Sequence, residues 1–176
     1  MSSFASDTDN FPDSFNEIYK HLLLAAGYHF SVTPYRENES HEYEAIRFGL
    51  SGKSILFRQA KITPRKVGYF VTLWKRPFPN AEIMPFEQKD KIDFCIIATY
   101  SESQKGIFLF DSDILTRQGI FSTRNKEGKR AIRVYPSWIY PDSKQAIKTQ
   151  KWQSSYFINL ESQLLSIEKF NKIFSI

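Results

Sequence analysis

The sequence predicts an α+β domain, a largely antiparallel or mixed sheet flanked by helices, on three observations. A helical apolar period occupies residues 12–26, a period of two takes over in short segments from Tyr43 to Phe110, and helical spacing returns after Asp142. In the first helix Phe15, Ile18, Tyr19, Leu22, Leu23 and Ala26 share one face, Ser14 and Glu17 match a capping box, and Gly27 follows as a stop. From Tyr43 onward Ile46, Phe48 and Leu50 alternate with Ala45 and Arg47, the pattern of a half-buried strand. Ser51-Gly52-Lys53 turns the chain into a strand from Ile55 to Ile62, which Thr63-Pro64 ends because proline offers a ladder no amide hydrogen.

Gly68 to Arg76, Phe94 to Tyr100 and Gly106 to Phe110 read as further strands, with residues 77–91 as the longest loop. Asp111 or Ser112 caps a short helix that stops at Gly119, and Arg124 to Arg130 reads as a hairpin tip before a strand from Ala131 to Tyr135. Pro141-Asp142-Ser143 starts a helix through Trp152. Asn159 is the expected cap of a C-terminal helix with Leu160, Leu164, Ile167 and Phe174 as its apolar positions. Without an internal repeat or long linker, residues 1–176 are expected to form a single domain, with 1–11 as a flexible N-terminus.

A chain of 176 residues, 41% hydrophobic and 16% aromatic, is ordered and long enough to bury roughly 70% of its unfolded surface. Its single cysteine, Cys95, lies in the apolar run Phe94-Cys95-Ile96-Ile97; that excludes an internal disulfide and predicts a buried, inert thiol. No apolar segment approaches the length of a bilayer span, and MSSFASDTDNF is acidic where a signal peptide starts basic, so a cytoplasmic protein is expected.

Charge is distributed in blocks. Residues 1–44 carry eight acidic and two basic side chains, 45–81 eight basic and no acidic ones, 82–113 seven acidic against three basic, and 124–153 eight basic against two acidic. If the two basic blocks share a face, they form a surface for a polyanion, and nucleic acid, DNA or RNA, is the expected partner. The candidate contacts are Arg58, Lys61, Arg65, Lys66, Lys75 and Arg76 from the first block, and Lys129, Arg130, Arg133, Lys148 and Lys151 from the second. Trp74 and Trp152 are candidate stacking platforms, worth ~1–3 kcal/mol per base. Core packing is the competing reading for Trp74, Trp138 and Trp152. With no legible recognition helix, binding is expected to depend little on sequence.

Other chemistries find less support. The run Gly49-Leu-Ser-Gly-Lys-Ser54 ends like a phosphate-binding loop, but Arg47 stands where the first glycine belongs, and the segment joins two strands with no helix following. His21, His29 and His41 are scattered, so no structural metal site is expected. One constellation resembles a metal-dependent nuclease: Glu42 or Glu44 before a strand, then Gln59 and Lys61 on one face of the next, where a hairpin could bring Glu44 near them. In that alternative Glu44 holds Mg²⁺ and Lys61 stabilises developing charge, but the amide of Gln59 supplies one negative charge too few. Outside it no cofactor is expected. A third alternative, a binding protein for an acidic partner or a small ligand, predicts a closed aromatic pocket and dispersed basic residues.

The runs FRQAKITPRKVGYFVTLWKR (57–76), DFCII (93–97), GIFLF (106–110), GKRAIRVYPSW (128–138) and TQKWQSSYF (149–157) resemble the MepB-like family of small bacterial proteins, over about residues 40 to 160. The resemblance implies a cytoplasmic protein, often encoded near a multidrug efflux pump and its regulator. It also implies a core similar to restriction endonucleases and binding to nucleic acid. Gln59 departs from the acidic residue of active nucleases, which counts against cleavage and leaves binding intact.

Overall fold

The computed structural model describes residues 10–175. The flexible terminus expected over 1–11 lies outside the described residues up to residue 9, while Phe11 is buried against Phe15, ring centroids 5.1 Å apart. Helix α1 (Asp13–Ile18) runs directly into a π-helical segment (Tyr19–Leu24), and Gly27 ends it at φ +89°. Strands β1 (Phe30–Arg36), β2 (Ile46–Leu50), β3 (Lys53–Gln59), β4 (Lys61–Ile62), β5 (Tyr69–Thr72), β6 (Trp74–Lys75) and β7 (Met84–Pro85) follow. Then come β8 (Phe94–Tyr100), β9 (Lys105–Asp111), α2 (Ser112–Arg117), β10 (Ala131–Val134), α3 (Lys144–Gln153), β11 (Phe157–Asn159) and α4 (Gln163–Phe174).

The main sheet has six strands in the order β1-β2-β3-β8-β9-β11. All its pairings are antiparallel except β3 with β8. Strand alternation gives this sheet two apolar faces. Phe57, Ile96 and Leu109 point to one face, where α1, the π-helical segment and α4 bury Phe15, Leu22, Phe170 and Ile173 against them. Leu56, Cys95, Ile97 and Phe108 point to the other, covered by a three-stranded sheet of order β10-β5-β4 and by Ile114 and Leu115 of α2. Strands β6 and β7 pair as a separate ribbon. Among the described residues, no helix is long and apolar enough to cross a membrane.

Several expectations need correction in detail. Strand β1 was not legible: its burial pattern is irregular, it carries Pro34, and its register against β2 slips between Phe30 and Val32 and again before Tyr35. Proline and irregular pairing are tolerated there because β1 is an edge strand. The expected strand from Ile55 to Ile62 breaks at Ala60, so that β3 joins the main sheet and β4 the small one. Ser14 does not cap α1; its hydroxyl donates to Gln59 Oε1 at 2.6 Å, and Pro12 occupies the cap position. Asn159 belongs to β11, and Ser162 caps α4 by accepting from the Leu165 amide. Leu164, expected on the apolar side of that helix, is exposed, and Phe170 and Ile173 take the buried positions. The segment 124–130 is not the tip of a hairpin; β10 reaches back to pair with β5.

Candidate functional site

The pairing of β10 with β5 is what brings the two basic blocks together. Ala131 lies opposite Thr72 and Val134 opposite Tyr69, so residues 129–133 run beside the segment that leads out of the loop 63–68. Helix α3 then folds over the outer side of β10. Ser143 caps it, accepting from the Ala146 amide at 3.1 Å. Gln153, 1% exposed, fastens it to the strand: its Oε1 accepts from the Tyr135 amide at 2.9 Å and its Nε2 donates to the Arg133 carbonyl at 2.9 Å. Gln150 donates to the Ile139 carbonyl at 2.8 Å. A buried amide is costly unless both its ends are bonded, and Gln153 meets that condition with backbone groups that an edge strand leaves open.

Between loop 63–68, strand β10, residues 118–120 and α3 lies an open cleft of about 550 Å³. Arg65, Lys66, Lys129 and Arg133 contribute four cations to its lining, against the single acid Asp142. Phe70, Tyr135 and Trp152 supply its aromatic wall. Gly68 shapes the loop end: it sits at φ +92°, and a Cβ there would stand 2.6 Å from the Tyr135 ring. Only glycine accepts both conditions. Burial raises the pKa of the Tyr135 hydroxyl, with Arg133 opposing and Asp142 adding to the rise, so the hydroxyl stays neutral.

The predicted contacts separate by what already binds them. Arg65, Lys66 and Lys129 are exposed and have no ion-pair or side-chain hydrogen-bond partner among the described residues. Lys148 and Lys151 are likewise exposed and unpaired on α3. At 3.6 residues per turn Lys148 falls about 40° from Trp152 around the helix and Lys151 about 100°, so Lys148 borders the cleft and Lys151 faces away from it. Lys61 is exposed on β4, its ammonium 5.3 Å from the centre of the Tyr43 ring.

Other cations are engaged within the fold. Arg58 is a correction to the expected surface: it is 1% exposed, and its Nη1 donates to Glu37 at 2.8 Å and to the Phe57 carbonyl at 3.0 Å. A charge buried and paired in this way is not available to a phosphate. Lys75 bridges Glu87 and Asp90 at 3.1 and 2.7 Å. Arg76 pairs with Glu39 at 2.8 Å, donates to the Ala81 carbonyl and lies 5.7 Å from the Trp74 ring centre. Arg130 pairs with Glu127 at 2.8 Å.

The three indoles also part company. Trp152 packs on Phe110 and Tyr156 while lining the cleft, Trp138 donates to the Tyr69 hydroxyl and stacks edge-on against Phe157, and Trp74 lies outside the cleft on β6.

Among the described residues, no ion pair or hydrogen bond links Glu44, Gln59 and Lys61 to one another. Glu44, at φ +52° after the turn His41–Tyr43, pairs with Arg36; Gln59 accepts from Ser14; Lys61 lies over Tyr43 in the other sheet. Among the described residues no three His, Cys, Asp or Glu side chains cluster where they could hold a metal ion. The Ser51-Gly52 turn has positive φ at both residues, +49° and +83°, the geometry of a two-residue hairpin connection.

The family model described as MepB-like matches residues 37–159. The crystal structure of MepB superimposes with a TM-score of 0.71 at 37% sequence identity, covering 74% of this chain and 87% of that one. No curated protein matches the chain. The matched span contains every lining residue of the cleft.

Proposed function

This chain belongs to the MepB-like family, and we propose that it is a cytoplasmic nucleic-acid-binding protein whose ligand's backbone phosphates lie in the cleft between α3 and the β4–β5–β10 sheet. Arg65, Lys66 and Lys129 are the direct contacts, Lys61 and Lys148 extend the positive surface at its borders, and Trp152 offers a partly open ring for a base. The observation that carries the reading is the convergence of four cations and one acid in one concavity, drawn from segments more than sixty residues apart in sequence. Three of those cations have no ion-pair partner among the described residues, so they bring a positive field to the cleft. Contacts of this kind position a backbone and read no bases, which makes the binding largely independent of sequence.

The strand order supports the restriction-endonuclease-like core that the family resemblance implies: a helix leads into three consecutive antiparallel strands, and the third pairs in parallel with a later one. With Glu44, Gln59 and Lys61 each held by a different partner, the reading is binding without cleavage.

Fluorescence anisotropy with a short labelled DNA, single-stranded and duplex, at two salt concentrations tests it. Each neutralised phosphate steepens the log-log salt dependence by ~0.7 for a single strand and ~0.9 for a duplex. Replacing Arg65, Lys66 and Lys129 together by alanine is expected to flatten the slope by about 2 to 3 while leaving the denaturation midpoint unchanged. Binding that is absent in the parent protein, or that ignores salt and the triple replacement, would refute the proposal.

A further inference from the structure

Arg133 lines the cleft like the other three cations, yet its guanidinium is already engaged. Its Nη1 donates to the Val67 carbonyl at 3.2 Å and to the Gly68 carbonyl at 3.4 Å, and its Nη2 donates to Thr63 Oγ1 at 2.7 Å. The guanidinium carbon stands 5.7 Å from the centre of the Phe70 ring, the residue directly opposite Arg133 in the β10–β5 ladder. All three hydrogen-bond acceptors belong to one segment, residues 63–68, and that segment carries Arg65 and Lys66. Among the described residues, no backbone–backbone hydrogen bond closes this loop from within. The Ile62–Tyr69 pairing of β4 with β5 joins its two ends, and between them its shape rests on the Gly68–Tyr135 approach and on the arginine fork.

Resting on the nucleic-acid reading above, we infer that Arg133 is a positioning residue: it holds the loop 63–68 so that Arg65 and Lys66 meet the ligand's phosphates, and its own charge is spent on the loop. A planar guanidinium can satisfy two carbonyls and a hydroxyl at fixed angles while it stacks on an aromatic ring. An ammonium delivers the same charge without that geometry. The roles of contact and brace thus make opposite forecasts for a lysine in its place.

Two variants separate them. Arg133→Lys keeps the charge and loses the fork, and Thr63→Val removes one anchor of the loop without touching any charge. If Arg133 braces the loop, both weaken binding of the labelled DNA, Arg133→Lys by on the order of tenfold, the worth of one to two phosphate contacts near 0.1 M salt. Neither adds to the loss already caused by Arg65→Ala/Lys66→Ala, because the residues act as one unit. Native-state trypsin cleavage after Arg65 and Lys66 also accelerates in both variants, a readout that does not involve DNA.

Wild-type affinity in Arg133→Lys, no effect of Thr63→Val, or a loss that adds to that of Arg65→Ala/Lys66→Ala would overturn the inference and leave Arg133 as a direct contact. Unchanged trypsin cleavage would overturn it whatever the DNA does. Accelerated cleavage in a protein whose parent form fails to bind DNA at all would instead strike down the nucleic-acid reading, and the positioning role with it.

Discussion

Replacing Glu37 by leucine is expected to destabilise the fold out of proportion to the position's partial exposure. Its carboxylate, 18% exposed, is the acidic partner of Arg58, which is 1% exposed and whose Nε has no hydrogen-bond partner among the described residues. Two unit charges about 4 Å apart attract by ~4 kcal/mol at an effective dielectric constant near 20. Removing one partner of a buried pair costs ~3–5 kcal/mol, because the remaining ion stays desolvated. Water reaches Glu37, so the lower end applies, about 3 kcal/mol for Glu37→Leu. With a urea m-value of ~2 kcal/mol/M, the unfolding midpoint falls by about 1.5 M at unchanged m.

Arg58→Met takes the charge out of the interior and leaves a carboxylate that water can solvate, so its cost stays near ~1 kcal/mol. Equilibrium urea denaturation followed by circular dichroism checks both. A midpoint for Glu37→Leu close to that of the parent, or an Arg58→Met variant as unstable as Glu37→Leu, would refute the account of Arg58 as a structural charge.

Gln153→Leu leaves the Tyr135 amide and the Arg133 carbonyl unpaired beneath α3. At ~1–3 kcal/mol for each of the two unsatisfied buried groups, a loss of about 2–6 kcal/mol is expected in the same denaturation assay. Burial pushes the Cys95 thiol up to about 12, so the native protein should resist maleimide or disulfide reagents at pH 8 and react on unfolding. Because its pKa is raised in the folded state, the stability held by the neutral thiol is complete below the unfolded value of about 8.5 and is lost as pH climbs toward 12. Wild-type protein should therefore lose stability relative to Cys95→Ala above that lower pH, and equal pH profiles would count against it. Trp152→Phe should abolish most of the fluorescence change on DNA binding, whereas Trp74→Phe and Trp138→Phe should retain it, as measured by titration at constant salt.

Local pattern carried much of the fold. The alternation of Ile46, Phe48 and Leu50, the apolar run around Cys95 and the cap at Asp111, which accepts from the Ile114 amide at 2.7 Å, all stand where the sequence places them. Strand β1 escaped because an edge strand owes its existence to a neighbour's hydrogen bonds rather than to its own buried face. Ser14 and Asn159 misled for a related reason: a short polar side chain near a helix start suits a cap, but Gln59 and the Glu161 amide compete for it in the folded chain.

Charge shows the same division. By itself the sequence determined that an acid-free block, 45–81, and a second basic block, 124–153, exist, together with enough apolar residues for a packed interior. Only tertiary structure decided which of those cations are available: Arg58 goes inside with Glu37 and Lys75 and Arg76 to nearby acids, while Arg65, Lys66 and Lys129 remain open on one cleft. The physical reason is range. Strand and helix periods are written into neighbours a few residues apart, whereas an ion pair or a shared concavity joins residues brought close only when β10 crosses back to β5.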